Sequence, residues 1–283
     1  MKEVSNAVII GAGSIAKRHS ANLNSLGVST RLIDIDEIAH IDTILQSGFD
    51  VGLVCSPNCY HIEHCAALAK FNIPIFCEKP FYSSHQGLQA LLGLVRSTNL
   101  PTMVACNLRF TQEVKSINPS TPYINVYFGF NLKKWRPHTN HRDSYSSHKK
   151  YGGGILLDAI HELDYLSYKF GAIKNLFYSK NKFSNITHDT EDNVVGRIEF
   201  AKGTIADFTL NYLSDTYLRY FDILHKNTLK RIHFDTNNSY MYRDQIDYFI
   251  KQIQRGKEAM NNFDEAHSLL SALNNPTVPP PPQ

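Results

Sequence analysis

The sequence predicts an α/β protein: an N-terminal Rossmann dinucleotide-binding domain, then a C-terminal α+β domain with an open, mainly antiparallel sheet. Three observations predict it. A short apolar run at 7–10 leads into Gly11-Ala12-Gly13-Ser14-Ile15-Ala16, the G-x-G-x-x-A spacing of a nucleotide-binding turn. Residues 50–80 read as strand, loop, helix, strand, loop. From about residue 120 on, short alternating runs are punctuated by turn residues, as in half-buried antiparallel strands.

The elements follow in order. Gly11 allows the tight turn after the first strand, Gly13 lets the backbone approach a pyrophosphate, and Ala16 permits close helix–strand packing. A helix over 15–26 stops at Gly27, and its N-terminal amides, with Ser14 and Ile15, face the phosphates. The second strand, 29–33, ends at Asp34, an acid about 20 residues beyond the glycines. Asp34 accepts hydrogen bonds from the adenosine ribose and repels a 2′-phosphate. No arginine follows it, which favours NAD over NADP. Asp36, one pleat further on, is the alternative acid. The stretch 37–48 leaves room for one helix and no further strand.

Residues 51–55 are apolar throughout, as in a strand buried on both faces. Ser56-Pro57-Asn58 breaks the run, a helix spans 61–71, and a second buried strand at 73–77 ends at Glu78-Lys79-Pro80. Ligands of open parallel sheets bind at the carboxyl ends of the strands, so both loops are expected to face one crevice. Lys79 is there a candidate acid or base. A helix over 83–98 and a strand over 101–106 complete the first domain, 1–106, and Asn107-Leu108-Arg109-Phe110 follows it. The second domain, 107–273, holds strands at 123–130, 175–179, 193–200, 204–212, 217–225 and 229–234. Lys202-Gly203 is a hairpin turn, and helices follow at 243–254 and 264–273. The proline-rich tail, 274–283, is expected to be extended and mobile, with no helix or ladder.

A second chemical cluster lies at 134–170. Gly152-Gly153-Gly154 precedes a predicted helix over 155–170, and three glycines let the backbone approach another body closely. Asp158, His161, Glu162 and Tyr165 fall at i, i+3, i+4 and i+7, one helical face. An Asp–His pair there holds an imidazole in one tautomer, the usual arrangement of a proton relay. Upstream, Trp135, Arg136, His138, His141, Arg142 and Tyr145 make a loop suited to a polar ligand. Trp135 offers a ring to stack on a sugar, and Arg142 a guanidinium to pair with a carboxylate or phosphate. His138 with His141 gives no fixed ligand geometry, so no metal is expected.

Composition sets the class. The chain has 283 residues, enough for two domains, and is 42% hydrophobic and 19% charged, which excludes wholesale disorder. A net charge of +3 without long basic runs does not point to nucleic acid. Cysteines 55, 59, 65, 77 and 106 form no CxxC pair and sit in apolar contexts, as free thiols of a reducing compartment do. No signal peptide and no membrane-length apolar run is present. The expectation is a soluble, cytoplasmic protein with a small-molecule substrate and no nucleic-acid or membrane partner.

Three motifs now stand in order: Gly11-Ala12-Gly13-Ser14-Ile15-Ala16; Ser56-Pro57-Asn58 with His61, then Glu78-Lys79-Pro80; and Gly152-Gly153-Gly154 leading to Asp158 and His161. Together they resemble the glucose–fructose oxidoreductase / myo-inositol dehydrogenase (Gfo/Idh/MocA) family over most of the chain. The resemblance implies an NAD(P)-dependent dehydrogenase or reductase acting on a sugar, nucleotide sugar or cyclitol, with the nicotinamide held between two domains. It implies that Lys79 is the acid/base, that His161 and Asp158 form the rest of the relay, and that Ser56, Pro57, Asn58, His61 and Glu78 lie at the cofactor. Arg109, Trp135, Arg142 and Tyr145, with His161, resemble the substrate-side residues of a subgroup from bacterial surface-sugar gene clusters. Members commonly pair through the outer face of the open sheet, which implies a homodimer or homotetramer. The chain departs from the pattern in places. Asp158 and His161 are three apart where the family has four, and both the segment after Asp36 and the C-terminal portion are short. The short segments keep open the reading of a cofactor-binding regulator without turnover, and the resemblance itself also allows a transient-redox epimerase or lyase with tightly held NAD.

Overall fold

The computed structural model of the protein describes residues 3–135, 137, 140–235 and 239–277. The chain divides into two compact units, residues 1–107 with 239–267 and residues 108–238 with 268–283.

In the first unit the chain alternates strand and helix: β1 (Asn6–Ile10), α1 (Ser14–Ser25), β2 (Ser29–Ile33), α2 (Ile41–Leu45), β3 (Val51–Val54), α3 (His61–Lys70), β4 (Ile75–Cys77), α4 (Leu88–Thr98) and β5 (Thr102–Val104). The five strands are parallel, in the order β2-β1-β3-β4-β5. Val8, Ile9, Ile10, Val54, Ile75 and Cys77 are fully buried, as the uninterrupted apolar runs require of strands covered on both faces. Gly52 is where α3 comes closest: a Cβ there would lie 2.5 Å from the Leu68 side chain. Between β2 and β3 only a 3-10 turn (Ile35–His40) and α2 form, so β2 stays at the sheet edge. The helix expected from residue 83 begins at Leu88, because Gly87 turns left-handed at φ +77° and the preceding residues form bends and turns.

The second unit begins with α5 (Gln112–Lys115), whose Val114 amide donates to the Thr111 hydroxyl as a cap. Next come β6 (Tyr123–Gly129), α6 (Leu132–Trp135), α7 (Ile155–Asp158), α8 (Ile160–Phe170), β7 (Ile173–Asn181), β8 (Asn193–Phe200), β9 (Ile205–Asn211), β10 (Leu218–His225) and β11 (Thr228–His233). The sheet order is β11-β10-β6-β9-β8-β7. Four of the neighbouring pairs are antiparallel, whereas β6 and β9 run parallel in the middle, so the sheet is mixed. Alternation sorts its faces. Ile124, Val126, Phe128, Ala206, Phe208 and Leu210 are buried, and the residues between them, Asn125, Tyr127, Asp207 and Thr209, are half-exposed. The buried side of α8 packs on this sheet, Phe170 against Phe200 at 5.3 Å and Tyr165 against Phe221 at 6.4 Å. The start of the tail does pair with the sheet. The Thr277 amide donates to the Leu176 carbonyl at 2.8 Å, and the Leu176 amide to the Thr277 hydroxyl at 2.9 Å. An edge strand offers unpaired groups even to a segment next to proline; residues 278–283 lie outside the described residues.

The chain then contributes α9 (Tyr240–Arg255) and α10 (Phe263–Asn274), with the division between the units falling inside α10. Residues 239–267 group with the first unit, whereas the sequence reading counted them with the second. Phe249 lies 6.0 Å from Phe76 of β4, and the Gln245 side-chain oxygen accepts the Cys106 amide at 3.1 Å. Asn261 closes the free edge of β5, its carbonyl accepting the Val104 amide at 2.8 Å and its side-chain amide donating to the Val104 carbonyl at 3.0 Å. Among the described residues, no helix is long and apolar enough to cross a membrane.

Candidate active site

The glycine turn is built for close approach. Gly11 stands at φ +110°, and a Cβ there would lie 2.8 Å from the Cys55 carbonyl oxygen at the end of β3. A Cβ on Gly13 would meet nothing within 4 Å. Gly13 is also the N-cap of α1 and leaves its first-turn amides, Ser14 and Ile15 among them, without a side-chain cap. Open space before an uncapped helix N-terminus fits a pyrophosphate. Asp34 is exposed at the end of β2, with one carboxylate oxygen taking the Ile35 amide at 2.7 Å. Arg31, three residues before it, is paired with Glu37, which lowers the Glu37 pKa. These residues fit an NAD molecule, its diphosphate at Gly11–Ile15 and its adenosine ribose at Asp34.

The next two strand ends lie beside this turn, because β1, β3 and β4 are neighbours in the sheet. After β3, Ser56 is half-buried, Pro57 exposed and Asn58 buried. The Ser56 hydroxyl lies 2.8 Å from Nδ1 of His64, and burial lowers the His64 pKa to about 4, so the ring is neutral. His61, expected at the cofactor, is fully buried instead. Its Nδ1 lies 2.7 Å from the Pro80 carbonyl and its Nε2 3.0 Å from the Ser56 carbonyl. After β4, the Glu78 amide donates to Val54, and its carboxylate takes His19 Nε2 at 2.7 Å on one oxygen and the Lys79 amide at 3.3 Å on the other. Burial works against the Glu78 charge. The His19 hydrogen bond and the charges of His19, Lys79 and His61 outweigh it and lower the pKa. Lys79 itself is half-buried, a long amine at a strand end beside the glycine turn.

His19 was not among the residues the sequence marked. A signal was there: Ala16, His19 and Leu23 fall at i, i+3 and i+7 on α1, and they are its buried stripe. A histidine on an apolar stripe needs a buried partner, and Glu78 is that partner.

In the second unit two of the three glycines, Gly153 and Gly154, lie close against their own chain. A Cβ at Gly153 would lie 2.3 Å from the Tyr145 carbonyl oxygen, and one at Gly154 2.4 Å from the Glu191 carboxylate. The body they approach closely is the 145–146 loop and Glu191. The predicted single helix over 155–170 is two, broken at Ala159 with φ −99° and ψ 27°. The break separates Asp158 from the other residues of the expected face. Asp158 is buried, 1% exposed, and accepts the Tyr212 hydroxyl at 2.6 Å. Glu162 is buried with Arg219 at 2.7 Å, Tyr165 is fully buried, and His161 is half-exposed. The four therefore share no single solvent-facing stripe.

The substrate-side residues also separate. Arg109 is buried, its guanidinium forked onto Asp164 at 2.9 and 2.7 Å, with its cation 4.7 Å from the Tyr168 ring centre. That fork is committed inside the unit. Trp135 is half-buried among Phe128, Phe130 and Tyr212, at ring distances of 5.4, 6.4 and 6.1 Å. Arg142 is exposed and Tyr145 half-buried. Arg136 and His138 lie outside the described residues. Among the described residues, no group of three or more His, Cys, Asp or Glu side chains is placed to hold a metal ion.

Comparison with known proteins places this geometry. Residues 29–106 match the family model of the oxidoreductase family with an NAD-binding Rossmann fold, GFO_IDH_MocA, and residues 125–225 match the GFO/IDH/MocA C-terminal domain. No curated protein sequence matches the chain. Among solved structures, the fold is similar to the WlbA dehydrogenase from Bordetella pertussis in complex with NADH and UDP-GlcNAcA, at TM-score 0.79 and 14% identity over 96% of this chain and 95% of that one. It is similar to myo-inositol 2-dehydrogenase from Lactobacillus plantarum, at 0.77 and 16% over 96% of each chain. It is similar also to UDP-N-acetylglucosamine 3-dehydrogenase GnnA from Acidithiobacillus ferrooxidans, at 0.75 and 14% over 96% of this chain and 97% of that one. With an NAD-binding Rossmann domain and the matching C-terminal domain in one chain, the protein belongs to the Gfo/Idh/MocA family of oxidoreductases.

Proposed function

We propose that the protein moves hydride between NAD and a hydroxyl-bearing carbon of a sugar, nucleotide sugar or cyclitol, or the matching ketone, with Lys79 as acid/base. The observation that carries this is the placement of the Lys79 amine: half-buried, at the end of β4, in the same sheet as the open glycine turn before α1. When bound, NAD supplies the carbon that accepts the hydride. Gly11 and Gly13 make room for its diphosphate, and Asp34 selects the unphosphorylated ribose. Lys79 in its neutral form takes the hydroxyl proton as hydride leaves the substrate carbon, and returns it in the reverse direction. An amine of ordinary pKa, about 10.4, is a poor base near neutrality, so the positive charge of a bound oxidised nicotinamide would have to favour its neutral form.

His161 completes the relay. Asp158 supports it from a distance in the chain: its carboxylate, held by Tyr212, anchors the break at Ala159, after which the new helix carries His161 in its first turn. Nucleotide sugars are the favoured substrates, because two of the similar structures are named for UDP-sugars. The exposed Arg142 suits an anionic group of that kind. The outer face of the second sheet is the self-association surface. It carries a hollow of about 720 Å³ lined by Phe177, Tyr178, Val195 and Pro276, with Val195 46% exposed. Sedimentation equilibrium should show a dimer or tetramer, and a monomer at micromolar concentration removes this part of the reading.

The decisive experiment follows NADH fluorescence with purified protein and a panel of UDP-sugars and inositols. Wild type should bind NADH and exchange hydride with one of them. Lys79→Ala should bind NADH normally and lose about 10²–10⁴-fold in turnover. Lys79→Arg should not rescue, because guanidinium keeps its proton. His161→Ala should show a similar loss, and the double variant little more than either single one. Undiminished kcat in Lys79→Ala makes Lys79 a structural residue only. Binding without consumption across the panel favours a regulator.

A further inference from the structure

One buried side chain ties the two strand-end loops of the nucleotide-binding unit, and the chemistry above leaves it unused. His61, the first residue of α3, has no exposed surface. Its Nδ1 lies 2.7 Å from the Pro80 carbonyl oxygen and its Nε2 3.0 Å from the Ser56 carbonyl oxygen. A carbonyl oxygen only accepts. A neutral imidazole carries one N–H and donates to one of the two. Both bonds form together only when both ring nitrogens are protonated. We propose that His61 is a positioning residue: an imidazolium that bridges Ser56 and Pro80 and fixes the peptide on which the Lys79 side chain stands.

This inference rests on the reading of Lys79 as acid/base, and it adds how that amine is held. Lys79 is pinned on both flanks. Before it, the Lys79 amide donates to a Glu78 oxygen whose partner oxygen is taken by His19. After it, the Pro80 carbonyl is taken by His61. Loops carry no such order on their own, and a misplacement of about 1 Å at a reacting group costs roughly 10²-fold.

The groups around the ring agree with a cation there. Cys77 of β4 faces it, a free thiol hydrogen-bonded in turn to the free thiol of Cys65 in α3. Burial pushes the Cys77 thiol pKa well up. Glu78, at the end of β4, carries the nearby negative charge. His64, on the same helix, is neutral, so no second cation crowds the first. Burial opposes the charge on His61. The Pro80 and Ser56 carbonyls, one on each ring nitrogen, favour it, and the pKa is raised to about 9.

The test uses the full chain and needs no substrate. Nitrogen-15 histidine labelling, with the His61 signals assigned by their loss in His61→Asn, reads the protonation of each ring nitrogen. Near neutral pH both should show N–H character, and the signature should fade only as pH rises through about 9. A nitrogen without a proton near neutral pH overturns the bridge, and this measurement stands on the wild-type protein even if the variant folds poorly. The second arm is trace acetylation with acetic anhydride, read peptide by peptide at rising pH. The Lys79 reactivity profile should move in His61→Asn, with exposed Lys251 unchanged and NADH affinity retained. An unmoved Lys79 profile overturns the positioning role. If Lys79→Ala keeps its turnover, the acid/base reading falls, while the ring-nitrogen result still judges the bridge by itself.

Discussion

His61 and His64 are three residues apart on one buried turn, yet they titrate in opposite directions. The His61 pKa is raised from 6.5 to about 9 and the His64 pKa lowered from 6.5 to about 4. A raised base stabilises the fold fully below its unfolded value and loses that contribution as pH rises through the folded value. The His61 contribution is therefore complete below pH 6.5 and gone above about 9. For His64, neutral in the fold, the contribution is complete above 6.5 and lost as pH falls through about 4. We expect urea midpoints of His61→Asn to approach wild type as pH rises from 6.5 past 9, and those of His64→Gln to approach it as pH falls from 6.5 past 4. Parallel curves for wild type and either variant would refute that assignment. At this scale the sequence was legible in kind and not in orientation. It marked His61, Arg109 and the three glycines from their motifs. It could not show that Arg109 meets Asp164, or that Gly153 yields to the Tyr145 carbonyl, because those partners are 55 and 8 positions away.

Among the elements, nearly every strand lies where alternation or an apolar run put it, since burial on one face or two leaves a period that a linear reading detects. The helix read over 155–170 did not follow. The break at Ala159 has no glycine or proline to announce it; it comes from tertiary contacts, with Asp158 turned to Tyr212 and α8 turned to the sheet. The helix read at 243–254 is α9, whose buried stripe is Ile246, Phe249, Ile250 and Ile253, but a helix reading does not say which sheet such a stripe covers. It covers the first. Phe249, 2% exposed and against Phe76, anchors that packing. Phe249→Ala should cost about 3–5 kcal/mol of stability by the usual penalty for emptying an aromatic site. It should also weaken NADH binding, because Phe76 is in the strand that ends at Lys79. Equal urea midpoints for wild type and variant would show that α9 is only loosely attached.

Across the whole molecule, the nucleotide-binding unit is discontinuous in sequence. A chain ending at residue 107 lacks the Asn261 bonds that close β5 and the Gln245 bond to Cys106, and it bares Phe76 and Phe81. Expressed alone, residues 1–107 should bind the dye ANS, show no sharp near-ultraviolet dichroism and fail to bind NADH. A cooperative thermal transition in that fragment would contradict this.

The same discontinuity acts on the nascent protein. A ribosome that has finished β5 must still make roughly 160 residues before the last of the first unit emerges, which takes about 8–30 s at 5–20 residues per second. For that interval the earliest-made sheet waits with an open edge and bare phenylalanines, while the whole of the middle segment is free to fold behind it. The unit begun first is thus completed only after the whole middle segment has been made, and the waiting sheet is a surface open to a chaperone in that interval.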